Sequence, residues 1–219
     1  MTVASGISRQ QLIQLFIVVL IGVGIGQVLQ RTAPIGRDLG SNMTVQALLR
    51  DGTSPSREAK DPTLTLVVFT DYQCPACKLA SPAMDAAVAR DGHVRVVYRD
   101  WPIFGAASEQ AARVALAADR QGLYPAVHRR LMAERRPLNA QVLRDAVERS
   151  GGSWSRLERD LRAFALEIDS QLSRNRRDAF TLGIAGTPAY LAGPLLSSGA
   201  LDEAGFTRAF ALGRRATRP

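Results

Sequence analysis

The chain has 219 residues, of which 46% are hydrophobic, and its formal net charge is +8. This composition excludes a disordered tail, because it supplies enough apolar side chains to bury a core. The two cysteines, Cys74 and Cys77, are too few to staple a small disulfide-rich domain, so packing must hold the fold together. The positive charge hints at an acidic partner but does not require one.

The first predicted element is an apolar segment close to the N-terminus. Residues Leu12–Leu29 are apolar except for Gln14 and Gln27. A helix of about eighteen residues spans roughly 27 Å, which is close to the hydrocarbon thickness of a bilayer. We therefore predict a transmembrane helix within residues 1–30, with a cleaved signal segment as the alternative. In both cases the following domain is tethered to a membrane or exported across one.

Residues 31–62 have the composition of a linker. Proline and glycine punctuate them, with serine and threonine between, at Pro34, Gly36, Gly40, Gly52, Pro55 and Pro62. Such residues are typical of loops and turns. Within this linker, Thr44–Arg50 is predicted to form a short helix or a docking segment.

The folded domain is predicted to begin with a strand that leads into a cysteine pair. Thr63–Thr70 is rich in β-branched and aromatic residues and apolar on both faces, which favours a central strand of a covered sheet. The motif Cys74-Pro75-Ala76-Cys77 follows, and Lys78–Arg90 then has helical spacing. Pro75 suits the first turn of a helix. The pattern therefore places Cys74 at a helix N-terminus.

This position gives the two thiols different chemistry. Unpaired N–H groups and the helix dipole stabilise a thiolate at a helix N-terminus. We therefore expect a depressed pKa at Cys74, which makes it a good nucleophile and a good leaving group. Cys77, one turn later, is expected to be shielded and to attack a mixed disulfide formed at Cys74.

Other uses of the pair were weighed against redox exchange. A zinc site needs four ligands, and the two histidines, His93 and His128, have no zinc-finger spacing relative to the cysteines. A structural disulfide is disfavoured because so short a loop excludes little chain entropy. A copper(I) site made of two thiolates is chemically possible. Thiol–disulfide exchange is the favoured interpretation.

The remaining pattern predicts an α/β fold with a helical block inside it. A second strand is predicted over His93–Asp100. Five helical segments follow it, at Ser108–Asp119, Leu123–Glu134, Asn139–Arg149, Ser153–Ile168 and Ser170–Leu182. A hairpin, Ala189–Ala192 with Leu195–Ser198, and a helix over Asp202–Gly213 complete the chain. The order β-α-β, helices, β-β-α predicts a thioredoxin fold whose halves are residues 63–103 and 183–213, with an inserted helical domain at 104–182.

Four segments carry a resemblance to a known family. FTDYQCPACKLASPAMD, VRVVYRDWPIFG, EQAARVALAADRQGLYPAVHRRLM and LGIAGTPAYLAG occur in this order. Together they resemble the DsbA-like thiol–disulfide oxidoreductase family, over about residues 63–212. The resemblance implies that Cys74 is the exposed nucleophile and Cys77 the resolving thiol. It also implies that Thr187-Pro188 is a cis-proline segment that meets substrate, and that Pro75 and Ala76 tune the thiolate pKa.

The resemblance also implies a function and a location. We expect an exported, membrane-tethered enzyme, anchored through Leu12–Leu29 in a bacterial inner membrane with its catalytic domain in the periplasm. Its expected partners are unfolded or misoxidised exported proteins and a membrane protein that recycles the cysteines; no cofactor, metal or nucleic acid is expected. A disulfide isomerase, a reductase (including one that faces the cytoplasm), a copper(I) carrier and a chaperone-like protein stay as alternatives.

Two departures from the family pattern bear on the chemistry. Many relatives carry a buried acidic residue six positions before the first cysteine, where this chain has Val68, and Asp71 is expected on the surface. The intervening Pro75-Ala76 lacks the histidine of the most oxidising relatives, which predicts a less oxidising disulfide. The direction of electron flow is left open.

Overall fold

The computed structural model describes residues 9–10, 14–16, 18, 22 and 36–217. The chain divides into two units, residues 1–34 and residues 35–219. Among the described residues, no helix combines the length and the apolar character needed to cross a membrane. The predicted membrane segment Leu12–Leu29 lies for most of its length outside the described residues, so it stays a prediction.

A six-stranded sheet forms the centre of the second unit. Its spatial order is β1-β6-β5-β3-β4-β2, with β3 and β4 parallel and the other neighbours antiparallel. The strands are β1 (Arg37–Asp38), β2 (Ser56–Arg57), β3 (Leu64–Thr70), β4 (Val94–Asp100), β5 (Ala189–Ala192) and β6 (Leu195–Ser198). β3 is buried at every position except Thr65, which confirms the predicted central strand.

Helices cover both faces of this sheet. They are α1 (Met43–Leu49), α2 (Pro75–Asp91), α3 (Ala106–Asp119), α4 (Tyr124–Ala133), α5 (Ala140–Glu148), α6 (Trp154–Ala163), α7 (Ala165–Thr181) and α8 (Glu203–Ala216). Alternate residues of β3 point into two separate cores, Leu66 and Val68 into the larger, Val67 and Phe69 into the smaller. The order β-α-β, five helices, β-β-α is a thioredoxin-like α/β fold, as predicted.

The linker prediction is wrong for residues 37–57. β1 pairs with β6 and β2 pairs with β4, so this segment supplies both edge strands of the sheet. Between them, α1 buries Val45 and Leu48 completely or nearly so in the smaller core. Strands of two residues leave no alternating pattern in the sequence, and the sheet edge supplies their pairing.

A buried ion-pair network joins the same segment to the sheet and to the helical block. Arg99 of β4 is 4% exposed. Its guanidinium lies 2.6 Å from an Asp51 oxygen and also pairs with Asp178 of α7. Ser54 accepts a hydrogen bond from the same guanidinium at 2.9 Å. Arg99 therefore links three parts of the chain that are far apart in sequence.

The helical block differs from the prediction in one place. The sequence predicts one helix over Ser153–Ile168 and another over Ser170–Leu182, whereas the structure ends α6 at Ala163 and begins α7 at Ala165. Phe164 forms the turn, with φ −112° and ψ 22°. The Arg120 guanidinium lies 3.8 Å from the centre of the Phe164 ring. Because the apolar stripe continues through this turn without proline or glycine, periodicity alone does not reveal it.

Candidate redox site

The two cysteines lie where β3 leads into α2. Cys74 is the N-cap of α2, with an extended backbone at φ −69° and ψ 116°, and Pro75 follows in the first turn. The Cys74 Sγ accepts a hydrogen bond from the Cys77 N–H at 3.4 Å. An N-cap side chain that accepts from a first-turn amide satisfies one of the otherwise unpaired donors of the helix. The predicted strand-to-helix junction is confirmed.

The segment before β5 faces the same sulfur. The peptide bond between Thr187 and Pro188 is cis. The Cys74 thiol donates a hydrogen bond to the Thr187 carbonyl oxygen at 3.2 Å. The Pro188 carbonyl in turn accepts from Gly199 N–H at 2.8 Å, which ties this turn to the end of β6. Two segments 113 residues apart therefore meet at one thiol.

Both thiols are free and both are buried. Cys74 is 2% exposed and Cys77 is 3% exposed. The expectation of an exposed Cys74 is wrong in this structure, because the N-cap position turns its side chain onto α2 and toward the cis-proline turn. Exposure therefore does not distinguish the two thiols, and their hydrogen bonds and surroundings must do so.

The surroundings of Cys77 disfavour its thiolate. Burial raises the pKa of the Cys77 thiol to about 12, although the nearby Asp71 backbone and the Thr187 and Thr70 hydroxyls act in the opposite direction. The Thr187 hydroxyl is buried and has no hydrogen-bond partner while Cys77 is a thiol. It is thus placed to donate to a Cys77 thiolate when one forms. At neutral pH Cys77 is protonated.

Buried Asp71 stabilises the turn that leads from β3 to Cys74. It is 1% exposed, so its predicted surface position is wrong. Its carboxylate accepts from the Gln73, Ile103 and Phe104 N–H groups at 2.7, 2.6 and 3.1 Å and from the Ser108 hydroxyl at 2.6 Å. The parallel strands β3 and β4 have their C-terminal ends side by side. Asp71, just after β3, therefore faces the loop that follows β4. The carboxylate joins that loop to the cysteine turn.

Six residues before Cys74, the chain carries an apolar side chain rather than a carboxylate. Val68 is 3% exposed and lies opposite Tyr190 in the antiparallel pairing of β3 with β5. Tyr190 is also 3% exposed. Burial raises the pKa of its phenol well above the ordinary value, and negative charge on Cys77 and Cys74 raises that pKa further. A neutral phenol therefore lies near the two sulfurs.

A buried polar network connects the turn to the helical block. The Tyr124 hydroxyl donates to Asp100 Oδ1 at 2.9 Å, the Tyr72 hydroxyl donates to the Tyr124 hydroxyl at 3.3 Å, and the Tyr72 hydroxyl also lies 3.0 Å from His128 Nδ1. Burial raises the pKa of Asp100 to about 7 and lowers the pKa of His128 to about 3. Sequence reasoning missed this network, and its one signal is that Tyr124 and His128 lie four residues apart on one face of α4.

Three large apolar side chains near the cysteine turn are exposed. Ile103 is 42% exposed, Phe104 is 50% exposed and Leu79 is 75% exposed. Gln73 holds the Phe104 carbonyl through its side-chain amide at 3.0 Å. Exposed apolar surface next to reactive groups is typical of sites that contact other polypeptides. Within the described residues, no group of three or more His, Cys, Asp or Glu side chains is arranged to hold a metal ion.

The fold and the paired thiols define a protein of the thiol–disulfide oxidoreductase class. The model of the DsbA-like thioredoxin domain family matches residues 65–211. The chain therefore belongs to the DsbA-like thioredoxin domain family, which confirms the resemblance seen in its motifs.

Two solved structures agree with this assignment, and a curated protein of another description shares part of the sequence. A thioredoxin-like oxidoreductase from Silicibacter pomeroyi is 32% identical, with a TM-score of 0.73 over 78% of this chain and 97% of that one. A periplasmic thioredoxin-like protein from Salmonella enterica serovar Typhimurium is 30% identical, with a TM-score of 0.70 over 80% and 97%. A Na(+)/H(+) antiporter NhaA 1 from Mycobacterium sp. (strain KMS) is 29% identical over 70% of this chain, which spans only 26% of that protein.

Proposed function

We propose that this protein is an exported, membrane-tethered thiol–disulfide oxidoreductase that forms or exchanges disulfides in exported proteins. The observation that carries the proposal is the arrangement at Cys74. Its sulfur lies at the start of α2, accepts the Cys77 N–H at 3.4 Å and faces the Thr187 carbonyl at 3.2 Å. The helix start supports negative charge on this sulfur, and the second thiol lies one turn away.

In the oxidising direction, the reaction begins from a disulfide between Cys74 and Cys77. A substrate thiolate attacks the Cys74 sulfur, a new S–S bond joins the substrate to Cys74, and the bond to Cys77 breaks. Cys77 leaves as a thiolate and takes up a proton, because burial raises its pKa to about 12. A second substrate thiolate then attacks the substrate sulfur of the mixed disulfide, and Cys74 leaves. The substrate gains one disulfide, and the enzyme pair gains two electrons.

The reverse exchange depends on removal of the Cys77 proton. When Cys77 attacks the mixed disulfide at Cys74, it must first become a thiolate, and the hydroxyls of Thr187 and Thr70 lower its pKa in that state. We therefore propose that Thr187 supports resolution as well as substrate contact.

The turn at Thr187 and Pro188 is the proposed substrate contact. In the free protein the Thr187 carbonyl accepts the hydrogen bond of the Cys74 thiol. A Cys74 sulfur joined to substrate has no hydrogen to donate, which leaves this carbonyl available to a backbone N–H of the substrate. Main-chain pairing of this kind accepts many sequences, as a general disulfide enzyme requires.

We place the catalytic domain in the periplasm of a bacterium, anchored in the inner membrane through Leu12–Leu29, or released there if that segment is cleaved. The apolar segment in the sequence supports a tether, and the Salmonella relative is described as periplasmic. A membrane redox protein that recycles the cysteines is the proposed second partner. A reporter enzyme fused after residue 219, active only outside the cytoplasm, tests the orientation; activity of a cytoplasm-specific reporter at the same position would overturn it.

Trapping a mixed disulfide tests the proposed reaction. In a Cys77→Ser variant Cys74 is the only thiol. When a reduced, unfolded protein is activated at one of its thiols, its adduct must therefore form at Cys74. The adduct must persist, because Cys77 is no longer there to attack it. A Cys74→Ser variant is the matched control and should form no adduct and should not oxidise unfolded ribonuclease. Full oxidase or reductase activity in Cys74→Ser would refute the proposal.

The reduction potential of Cys74–Cys77 separates the directions of flow. With Pro75-Ala76 between the cysteines, we expect a less oxidising pair than in the strongest oxidases. Equilibration with glutathione measures this value, and a strongly oxidising result would contradict the expectation.

A further inference from the structure

A groove of about 760 Å³ lies beside the cysteine turn, between α2 and α4. Pro75, Leu79 and Pro82 line its α2 side, are exposed, and recur at the spacing of one helical face. Met132 is among the residues of the α4 side. Because Pro75 directly follows Cys74, the groove begins one residue from the proposed nucleophile. It lies on a different face of α2 from the residues that enter the core.

The two carboxylates that line the groove are neutralised from outside it. Asp85 pairs with Arg57 of β2 at 2.9 Å. Glu134 pairs with Arg136 at 2.7 Å. Hydrogen bonds from Arg136 lower the pKa of Glu134 to about 2, so this carboxylate is ionised at neutral pH and paired with an arginine that also contacts Asp145 at 3.4 Å. Each carboxylate is thus paired with an arginine outside the groove, and within the groove the Glu134 charge favours protonated Lys78.

The cations of the groove are not matched in the same way. Lys78, Arg129 and Arg135 line it. The Lys78 ammonium donates to the Glu134 backbone carbonyl at 2.6 Å, which is an uncharged acceptor. Among the residues that the structure describes, no ion pair involves Arg129 or Arg135, and both are exposed. The groove therefore combines apolar side chains with a surplus of positive charge.

We propose that this groove binds an acidic, extended segment of the substrate polypeptide, next to the substrate cysteine that is joined to Cys74. The inference rests on the proposed function. The chain that carries the reacting cysteine reaches Pro75 during exchange, because Pro75 directly follows Cys74. From Pro75 to Pro82, α2 rises about 10 Å, which three or four extended residues match. Carboxylates at these positions meet Arg129 and Arg135, while the aliphatic parts of the segment contact Leu79.

Three peptides with two cysteines each test the inference. They differ only in the four residues beside the first cysteine, which are glutamate, glutamine or lysine, and each is used to reduce the oxidised full-length protein. Every rate is divided by the rate of the same peptide with a neutral small disulfide, which removes differences in thiol pKa between the peptides. We expect the glutamate peptide to react about fivefold faster than the glutamine peptide, and the lysine peptide to react more slowly.

Charge reversal locates the effect. The variant Arg129→Glu with Arg135→Glu should abolish or reverse the preference. The control variant Arg159→Glu with Arg177→Glu changes the net charge equally, at two exposed arginines that do not line the groove, and should keep the preference. A Leu79→Ser variant should slow all three peptides by a similar factor, because it removes apolar contact rather than charge.

The outcomes separate the inference from the proposed function. If no peptide reduces the protein, the proposed function fails. If all three react at equal normalised rates, or if both charge-reversal variants change the preference equally, the function stands and the groove is not the binding site. An unchanged preference in the Arg129 and Arg135 variant also overturns the inference.

Discussion

Replacing Asp100 by asparagine should make the free energy of unfolding depend more strongly on pH than it does in the unchanged protein. Burial raises the pKa of Asp100 from its ordinary value of 3.8 to about 7. Between these values the folded protein holds a proton that the unfolded chain has released. The free energy of unfolding therefore contains a contribution that is complete below pH 3.8 and is lost as the pH rises toward 7, at about 1.4 kcal/mol per pH unit.

His128, in the same network, acts with the opposite sign. Burial lowers its pKa from 6.5 to about 3, so between these values the unfolded chain binds a proton that the folded protein does not. Its contribution is present above pH 6.5 and is lost as the pH falls toward 3. From pH 3.8 to pH 6.5 the slopes of the two contributions with pH are opposite, so their sum does not change with pH. The neighbouring Tyr72, Tyr98 and Tyr124 have raised pKa values and stay neutral throughout this range.

The Asp100→Asn variant removes one side of this balance. Asparagine keeps an oxygen that can accept the Tyr124 hydrogen bond, but it does not titrate. Relative to the unchanged protein, the free energy of unfolding of Asp100→Asn should rise by about 3 kcal/mol between pH 4 and pH 6.5. His128→Gln should give a difference of similar size that falls over the same range.

Urea unfolding of the reduced proteins, followed by tryptophan fluorescence at several pH values, measures these differences. Subtracting the profile of the unchanged protein removes the contributions of all other groups. An Asp61→Asn variant, at an exposed carboxylate, is the matched control and should run parallel to the unchanged protein. A pH-independent difference for Asp100→Asn, or slopes of the same sign for both variants, would refute the reasoning.

The remaining predictions concern three other buried groups. Asp71→Ala should lower the free energy of unfolding by about 3 kcal/mol, because it strips three backbone amides and the Ser108 hydroxyl of their acceptor. Asp85→Ala, at a half-buried single ion pair, should cost less than about 1 kcal/mol, and equal losses in urea unfolding would contradict this. In a Cys74→Ser variant, alkylation of Cys77 should accelerate about tenfold per pH unit from pH 7 to pH 10 without a plateau, since the pKa of Cys77 is about 12. Mass spectrometry measures the alkylation rate, and a plateau near pH 8.5 would be the contrary result. Arg99→Met should lower the free energy of unfolding by about 3 kcal/mol, because its two aspartate partners lose their cation. Arg99→Lys keeps the charge and should lower it by less. A thermal unfolding midpoint unchanged in both variants would count against the network.

Local patterns in the sequence were sufficient for the centre of the fold. The run over Thr63–Thr70 is apolar on both faces, and the structure buries it between two cores. The cysteine motif follows a strand and carries proline in the first turn of a helix, so its position at the helix start could be predicted. In each case the information lies within about ten consecutive residues.

Features that depend on distant partners could not be predicted in this way. Asp71 is buried because residues 103, 104 and 108 supply four hydrogen bonds together with Gln73, and nothing near Asp71 in the sequence announces them. Cys74 is buried by a turn 113 residues later. The charged strands β1 and β2 form because sheet edges are available to them. From composition alone, the same residues are predicted to be a linker.

These two short strands have a consequence for the proposed reaction with unfolded chains. A free sheet edge pairs readily with any extended polypeptide, and short charged strands are a common natural protection against this. β1 consists of Arg37 and Asp38, β2 contains Arg57, and each occupies one outer edge of the sheet. Pairing of other chains with these edges is thereby discouraged, which leaves the turn at Thr187 and Pro188, beside the Cys74 sulfur, as the proposed backbone on which an extended substrate aligns.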